Sequence, residues 1–161
     1  MKYAAVVLII ITVLCLGAVG YTFLSTGVEV LSIDVEAVQP IENSAAMGVF
    51  DTAKKDMENG SYVGTINSTA PIGDAQRYIF FTYTLELKNN CPINMDMIEV
   101  KVLPSSGDVL QLPDEKAKHL SSFSKGRTTA TILAPIGSSA TRTIEITYYI
   151  WGRQYKVTTS Y

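Results

Sequence analysis

The chain has 161 residues, 47 % hydrophobic and 17 % charged, with 13 basic against 15 acidic side chains and two cysteines. This mildly acidic balance provides no cationic footprint for nucleic acid or for an anionic membrane surface, and two cysteines make no disulfide framework.

The first element decides the solvent of all the others. Tyr3 to Leu24 contains no charged side chain, and after Lys2 the first formal charge is Glu29. As a helix rising ~1.5 Å per residue it reaches about 33 Å, enough for a hydrocarbon core of about 30 Å. Two readings fit: an uncleaved single-pass anchor, or a secretory signal cleaved after Gly20 at Ala18-Val19-Gly20. Lipoprotein acylation at Cys15 is disfavoured by the bulky Leu14 before it, so Cys15 reads as an apolar filler of the span. Lys2 favours a cytoplasmic N-terminus, and both readings export the remainder. The expected organisation is residues 1–24 as transmembrane anchor and residues 25–161 as one extracytoplasmic domain at the cytoplasmic membrane. A surface-filament subunit would instead carry a short charged leader ahead of the apolar helix.

Beyond the span the hydrophobic period changes to two. Leu31, Ile33, Val35 and Ala37 alternate with Ser32, Asp34 and Glu36, the signature of a half-buried strand ended by Pro40. From Ile41 to Gly60 the pattern is the least readable and fits a short helical turn or a long excursion; the favoured reading is a strand end near Gly48 to Phe50 and then a loop. Asn59-Gly60 reads as a hairpin turn into a short strand over Ser61 to Asn67. Tyr78 to Lys88 is the strongest strand, with Ile79, Phe81, Tyr83, Leu85 and Leu87 on one face. A turn at Asn89 to Pro92, a strand carrying Ile98, Val100 and Val102, a turn at Pro104 to Asp108 and a return over Val109 to Leu112 predict a meander or Greek-key core. After a polar excursion with a helical turn near Asp114 to Lys118, strands follow over Thr128 to Leu133, Thr141 to Ile150 and Tyr155 to Tyr161, the last two joined tightly at Trp151 to Gln154. Seven to eight strands without an intervening amphipathic helix predict an all-β, immunoglobulin-like antiparallel β-sandwich. The domain has only Cys91, expected to be buried and inert, so its core must hold without a disulfide.

The run from Phe81 to Leu112, with its apolar strand, the turn Asn89-Asn90-Cys91-Pro92-Ile93 and a second alternating strand, resembles the central part of late-embryogenesis-abundant type 2 domains, also called water-stress and hypersensitive-response domains. The resemblance implies a seven-stranded sandwich acting as a protective or binding module, with no catalytic residue to carry over.

Candidate chemistry is sparse. Ser122-Phe123-Ser124-Lys125 matches the Ser-x-x-Lys pattern of acyl-serine enzymes without its companion motifs. It supports the alternative reading of a small envelope hydrolase or acyl-transferase using Ser122 and Lys125. His119 is the only histidine, too little for a His-based metal site or triad. Asp51, Asp56 and Glu58 lack calcium-loop spacing. Asp96 with Glu99, and Asp108 with Asp114 and Glu115, are acidic pairs that a sandwich end can bring together. No glycine-rich phosphate loop is present, so no cofactor and no metal is expected. Asn59 and Asn67 each begin an Asn-x-Ser/Thr acceptor sequence. The aromatics Tyr149, Trp151 and Tyr155 are the candidate interaction surface. The expected function is therefore a membrane-anchored, noncatalytic binding or structural module, held in the membrane through residues 3–24 and contacting an envelope protein or polysaccharide.

Overall fold

The computed structural model describes residues 2–24, 27–113 and 118–161. Helix α1 (Lys2–Leu24) is followed by strand β1 (Val28–Val38), helix α2 (Ser44–Asn59) and strands β2 (Thr65–Ile66), β3 (Tyr78–Asn89), β4 (Met95–Val102), β5 (Leu110–Gln111), β6 (Lys118–Leu120), β7 (Lys125–Pro135), β8 (Thr143–Ile150) and β9 (Arg153–Ser160). Helix α1 is long and apolar enough to cross a membrane, with a mean hydropathy of 2.6 over Tyr3–Tyr21.

The strands form two antiparallel sheets that face each other, in the orders β1-β3-β7-β5-β2 and β6-β4-β8-β9. The fold is an immunoglobulin-like β-sandwich. Between the sheets lie Phe81, Tyr83, Leu85 and Leu87 of β3 and Ile132 and Ala134 of β7, opposite Ile98, Val100 and Val102 of β4 and Ile144, Ile146, Tyr148 and Ile150 of β8. The inward face of β3 is the one its two-residue alternation predicts. Cys91 is fully buried in this core.

Three expectations are corrected. First, Ser44–Asn59 is a helix rather than a strand end and loop. Ala46, Met47, Phe50, Ala53 and Met57 fall on one helical face, and this face packs on Phe80, Leu110 and Leu133, which point outward from the five-stranded sheet. The side chain of Asn43 accepts from the Ala45 N–H, and Gly60 closes the other end in the left-handed conformation, φ 67°. Asn59-Gly60 is thus a helix cap rather than a hairpin turn.

Second, β3, β4 and β5 are no meander, since β4 lies in the opposite sheet from β3 and β5. The two-residue period says which face of a strand is buried but not which sheet it joins. Third, the described residues form nine strands rather than seven to eight, because β6 forms in the expected polar excursion; β7 also runs through Ala134 to Pro135, beyond its expected end at Leu133. The expected helical turn near Asp114 to Lys118 falls mostly on residues 114–117, outside the described residues.

Candidate interaction surfaces

The hairpin β8–β9 separates the aromatics that the sequence groups together. Tyr148 pairs in register with Tyr155 and Tyr149 with Gln154, so Tyr149 and Tyr155 lie on opposite faces. Tyr155 is half-buried and stacks on the buried Tyr148 ring, with centroids 5.7 Å apart, while Arg153 covers it at 5.6 Å. Burial pushes the Tyr148 hydroxyl pKa upward, opposed by a hydrogen bond from the backbone of Val28. Trp151 stands at the hairpin turn, 62 % exposed. The three side chains therefore do not make one flat aromatic platform.

Ser122 and Lys125 do not share a helix. Ser122 lies in the turn between β6 and β7, where its N–H donates to Asn94 Oδ1 at 3.0 Å. Lys125 begins β7 with its ammonium 3.8 Å from Glu86. His119 is exposed on β6. Asp96 and Asp108 sit at opposite ends of the sandwich, beside Tyr149 and Arg142 respectively; Asp114 and Glu115 are outside the described residues. Among the described residues no three His, Cys, Asp or Glu side chains converge as a metal site.

The buried polar side chains are engaged in holding the fold. Asp108 and Arg142 form a two-pronged ion pair, Nε to Oδ2 at 2.9 Å and Nη2 to Oδ1 at 2.7 Å. The Ser105 N–H donates to Asp108 at 2.8 Å, and Arg142 Nη1 donates to the carbonyls of Ser139 and Thr141. The bond to Asp108 holds the Arg142 pKa above its ordinary value, against the opposing effect of burial. Gln111 lies between the sheets: its amide donates to Val100 O at 2.7 Å and accepts from Val102 N–H at 2.9 Å. It completes the side of β4 that β6 is too short to reach. Asn89 donates to the carbonyls of Ile93, Leu120 and Ser121 and accepts from Cys91 N–H at 2.7 Å, pinning the turn between β3 and β4. The Asn67 amide nitrogen is buried without a partner, so folded protein presents no acceptor there for glycan addition; Asn59 is exposed at the end of α2.

A groove that no sequence motif announces runs along α2. It encloses about 640 Å³ between Ala45, Gly48, Val49 and Thr52 on the helix and Tyr62, Val63, Leu112 and Pro113 across from it, with Asp56 the one charged group among the described lining residues. Small residues on the helix side leave the backbone accessible. Val63 is 77 % exposed and Val49 42 %. The far wall is fixed by Tyr62, whose hydroxyl donates to Gln111 O at 2.7 Å. Burial, and secondarily the charge of Asp56, pushes the Tyr62 pKa up to about 12. Gly64 is required beside this contact: a Cβ there would stand 2.6 Å from Gln111 O and 2.7 Å from the Tyr62 ring.

No protein-family model and no curated protein matches the chain. Solved structures with a similar strand arrangement include the GAE domain of yeast GGA1, at 12 % identity and TM-score 0.37, covering 56 % of this chain and 94 % of that one. The GAE domain of GGA2p from Saccharomyces cerevisiae is similar at 10 % identity and TM-score 0.35, covering 56 % and 92 %. Likeness at this level bears on neither ligand nor activity.

Proposed function

We propose that the chain is a membrane-anchored, extracytoplasmic, noncatalytic module that binds a segment of an envelope protein in the groove along α2. The observation that carries this reading is the groove itself, an open apolar trough of about 640 Å³ in which Asp56 is the one carboxylate among the described lining residues. Such a surface suits an apolar polypeptide segment with one cation near its end. A polysaccharide is favoured less, because Tyr149 and Tyr155 lie on opposite faces of their hairpin and sugar stacking needs coplanar exposed rings. The apolar length of α1 and the lone preceding Lys2 support an anchor with the sandwich outside. The protective or binding role implied by the resemblance to late-embryogenesis-abundant type 2 domains belongs to the same class. For the acyl-serine alternative, the engagement of Lys125 by Glu86 and the turn geometry of Ser122 offer no nucleophile and base in position.

The test places a photo-crosslinking residue at Val49 or Val63 in the full-length protein in its own cells, with exposed Thr158 on β9 as control. A discrete adduct from both groove positions, absent from Thr158 and abolished by filling the groove with Gly48→Trp, is the expected result. A Cβ at Gly48 meets no atom within 4 Å, and an unchanged melting temperature checks that the fold accepts the rest of the ring. Adducts indistinguishable from the control overturn the groove. Labelling by an acyl-serine probe that Ser122→Ala abolishes overturns the noncatalytic reading.

A further inference from the structure

We propose that two copies of this chain associate side by side, β1 of each against β9 of the other, about a two-fold axis parallel to the strands. The partner is a second copy, and the surface is one flank of the sandwich.

The two strands concerned lie on the same flank. Strand β1 ends the five-stranded sheet and β9 the four-stranded one. The Tyr161 ring, just past β9, meets the Tyr83 ring at 6.3 Å, and Tyr83 pairs in register with Val35 of β1. The backbone of Val28 in β1 bonds the Tyr148 hydroxyl of β8, the strand beside β9. Val30, Ile33 and Val35 of β1 and Tyr155 and Val157 of β9 pack on the core yet are only partly buried. The core thus reaches solvent between these two strands.

The backbone of β9 can take a neighbour. The two-residue turn Trp151-Gly152 joins it to β8, so Ile150 and Arg153 exchange both hydrogen bonds of their pair, and every second residue after Arg153 does the same. The Tyr161 N–H on Arg142 O at 3.0 Å keeps this parity. Gln154, Lys156, Thr158 and Ser160 therefore turn their N–H and C=O groups to the open side. The ladder with β8 is unbroken and contains no proline or bulge, the devices that close an edge. Strand β1 has a register break between Val30 and Ser32 but pairs regularly from Ser32 to Val38.

Charge and symmetry choose the arrangement. Strand β1 has the carboxylates Glu29, Asp34 and Glu36 and no cation; β9 has the cations Arg153 and Lys156 and no carboxylate. Glu29 is 3.7 Å from Lys88 and Lys156 2.6 Å from Glu145, while among the described residues no ion pair includes Asp34, Glu36 or Arg153. A two-fold axis perpendicular to the sheets would set β1 on β1 and β9 on β9, like charge on like. The axis parallel to the strands sets each β1 on a β9, unlike on unlike. This arrangement closes at two copies, since each flank is used by the other. The turn from Asn89, partner of Val28, leads to the strand whose Asp96 pairs with Tyr149, so β1 and β9 start at one end. The new pairing is therefore parallel, and both copies keep the end that leads to α1 on the same side.

Tyr161 is level with Val35, so three residues back along each strand Thr158 is level with Ser32, and both are exposed. Ser32→Cys and Thr158→Cys are made separately in full-length protein carrying Cys15→Ala, purified in detergent with different tags, and treated with a short bismaleimide alone and mixed; Cys91 is buried. The expected result is a crosslinked dimer from the mixture and its loss when either variant is treated alone. By sedimentation the unaltered protein is a dimer that weakens as salt rises from about 0.05 to 0.5 M. Thr158→Pro leaves a monomer, because proline removes an N–H that faces the open side rather than β8. A photo-crosslinker at Thr158 then gives a dimer of the chain, unlike a groove adduct with another protein. Thr158→Cys alone crosslinking as well as the mixture, or a dimer that strengthens with salt, sets like strands together and overturns the proposal. A monomer at every concentration overturns it, as does a dimer that gives no mixed crosslink. A dimer that persists in folded Thr158→Pro does so too; if that variant fails to fold, the cysteine pair decides.

Discussion

Replacing Asp108 by alanine removes the carboxylate that accepts from Arg142 Nε and Nη2 and from the Ser105 N–H. The guanidinium remains buried, its side chain 3 % exposed, and retains only the Ser139 and Thr141 carbonyls. The two bonds to the guanidinium, roughly 1.5–3 kcal/mol each, are lost together with the one from the Ser105 N–H, in line with the ~3–5 kcal/mol typical of breaking a buried ion pair from one side. Against a total stability of about 5–15 kcal/mol, this predicts a melting temperature lower by roughly 12–20 °C for a domain of this size. The measurement is thermal unfolding of the full-length protein in detergent, followed by near-ultraviolet circular dichroism, for Asp108→Ala, Arg142→Met and the pair Asp108→Leu with Arg142→Met. The apolar pair should recover most of the loss, because no charge is left unpaired. A drop below about 5 °C for Asp108→Ala, far under the cost of an orphaned buried charge, or a double variant no more stable than the single one, would refute the reasoning.

Gln111→Leu strips Val102 N–H and Val100 C=O of their partner; a loss of roughly 2–4 kcal/mol is expected from two unpaired buried groups, read as a shifted urea midpoint. Gly64→Ala forces the Tyr62 ring from Gln111, so stability should fall by about 1–3 kcal/mol and crosslinking from Val63 should weaken with it. Burial raises the Tyr83 pKa to about 12, with Arg142 opposing it, from an ordinary value of 10. The neutral folded form is favoured, so this contribution is fully present below pH ~10 and is lost as pH rises through ~12, about 1.4 kcal/mol having gone by pH ~11. Tyr83→Phe should cost about 1 kcal/mol at neutral pH, through loss of the hydroxyl bond to Ala140 O, and should flatten the alkaline decline in urea stability. Parallel declines in both proteins between about pH 8 and pH 11 would count against burial as the cause.

The alternation of β3 was readable because every second side chain enters one core, from Phe81 to Leu87. Helix α2 was harder to see, because Ala46 and Ala53 contribute little hydrophobic signal beside Met47, Phe50 and Met57. Its clearest marks were the caps, Asn43 ahead of it and Gly60 behind it, and Asn59-Gly60 equally fits a hairpin. Parity along the β8–β9 hairpin does separate Tyr149 from Tyr155 once Tyr148 is known to face the core. The groove and the Asp108–Arg142 pair were not legible, since each joins segments distant in sequence whose meeting depends on which sheet a strand enters.

Strand β1 is an outer strand of its sheet, with one side bonded to β3 and the other unpaired among the described strands. An open strand of this kind is a ready template for pairing with the same strand of a second copy. Along this border stand Glu29, Asp34 and Glu36, and the register breaks between Val30 and Ser32. Two copies approaching β1 to β1 would set like charges against each other across an irregular ladder. The acidic border thus disfavours edge-to-edge pairing of two copies through β1 alone, and the groove along α2 lies away from it on the outer face of the same sheet.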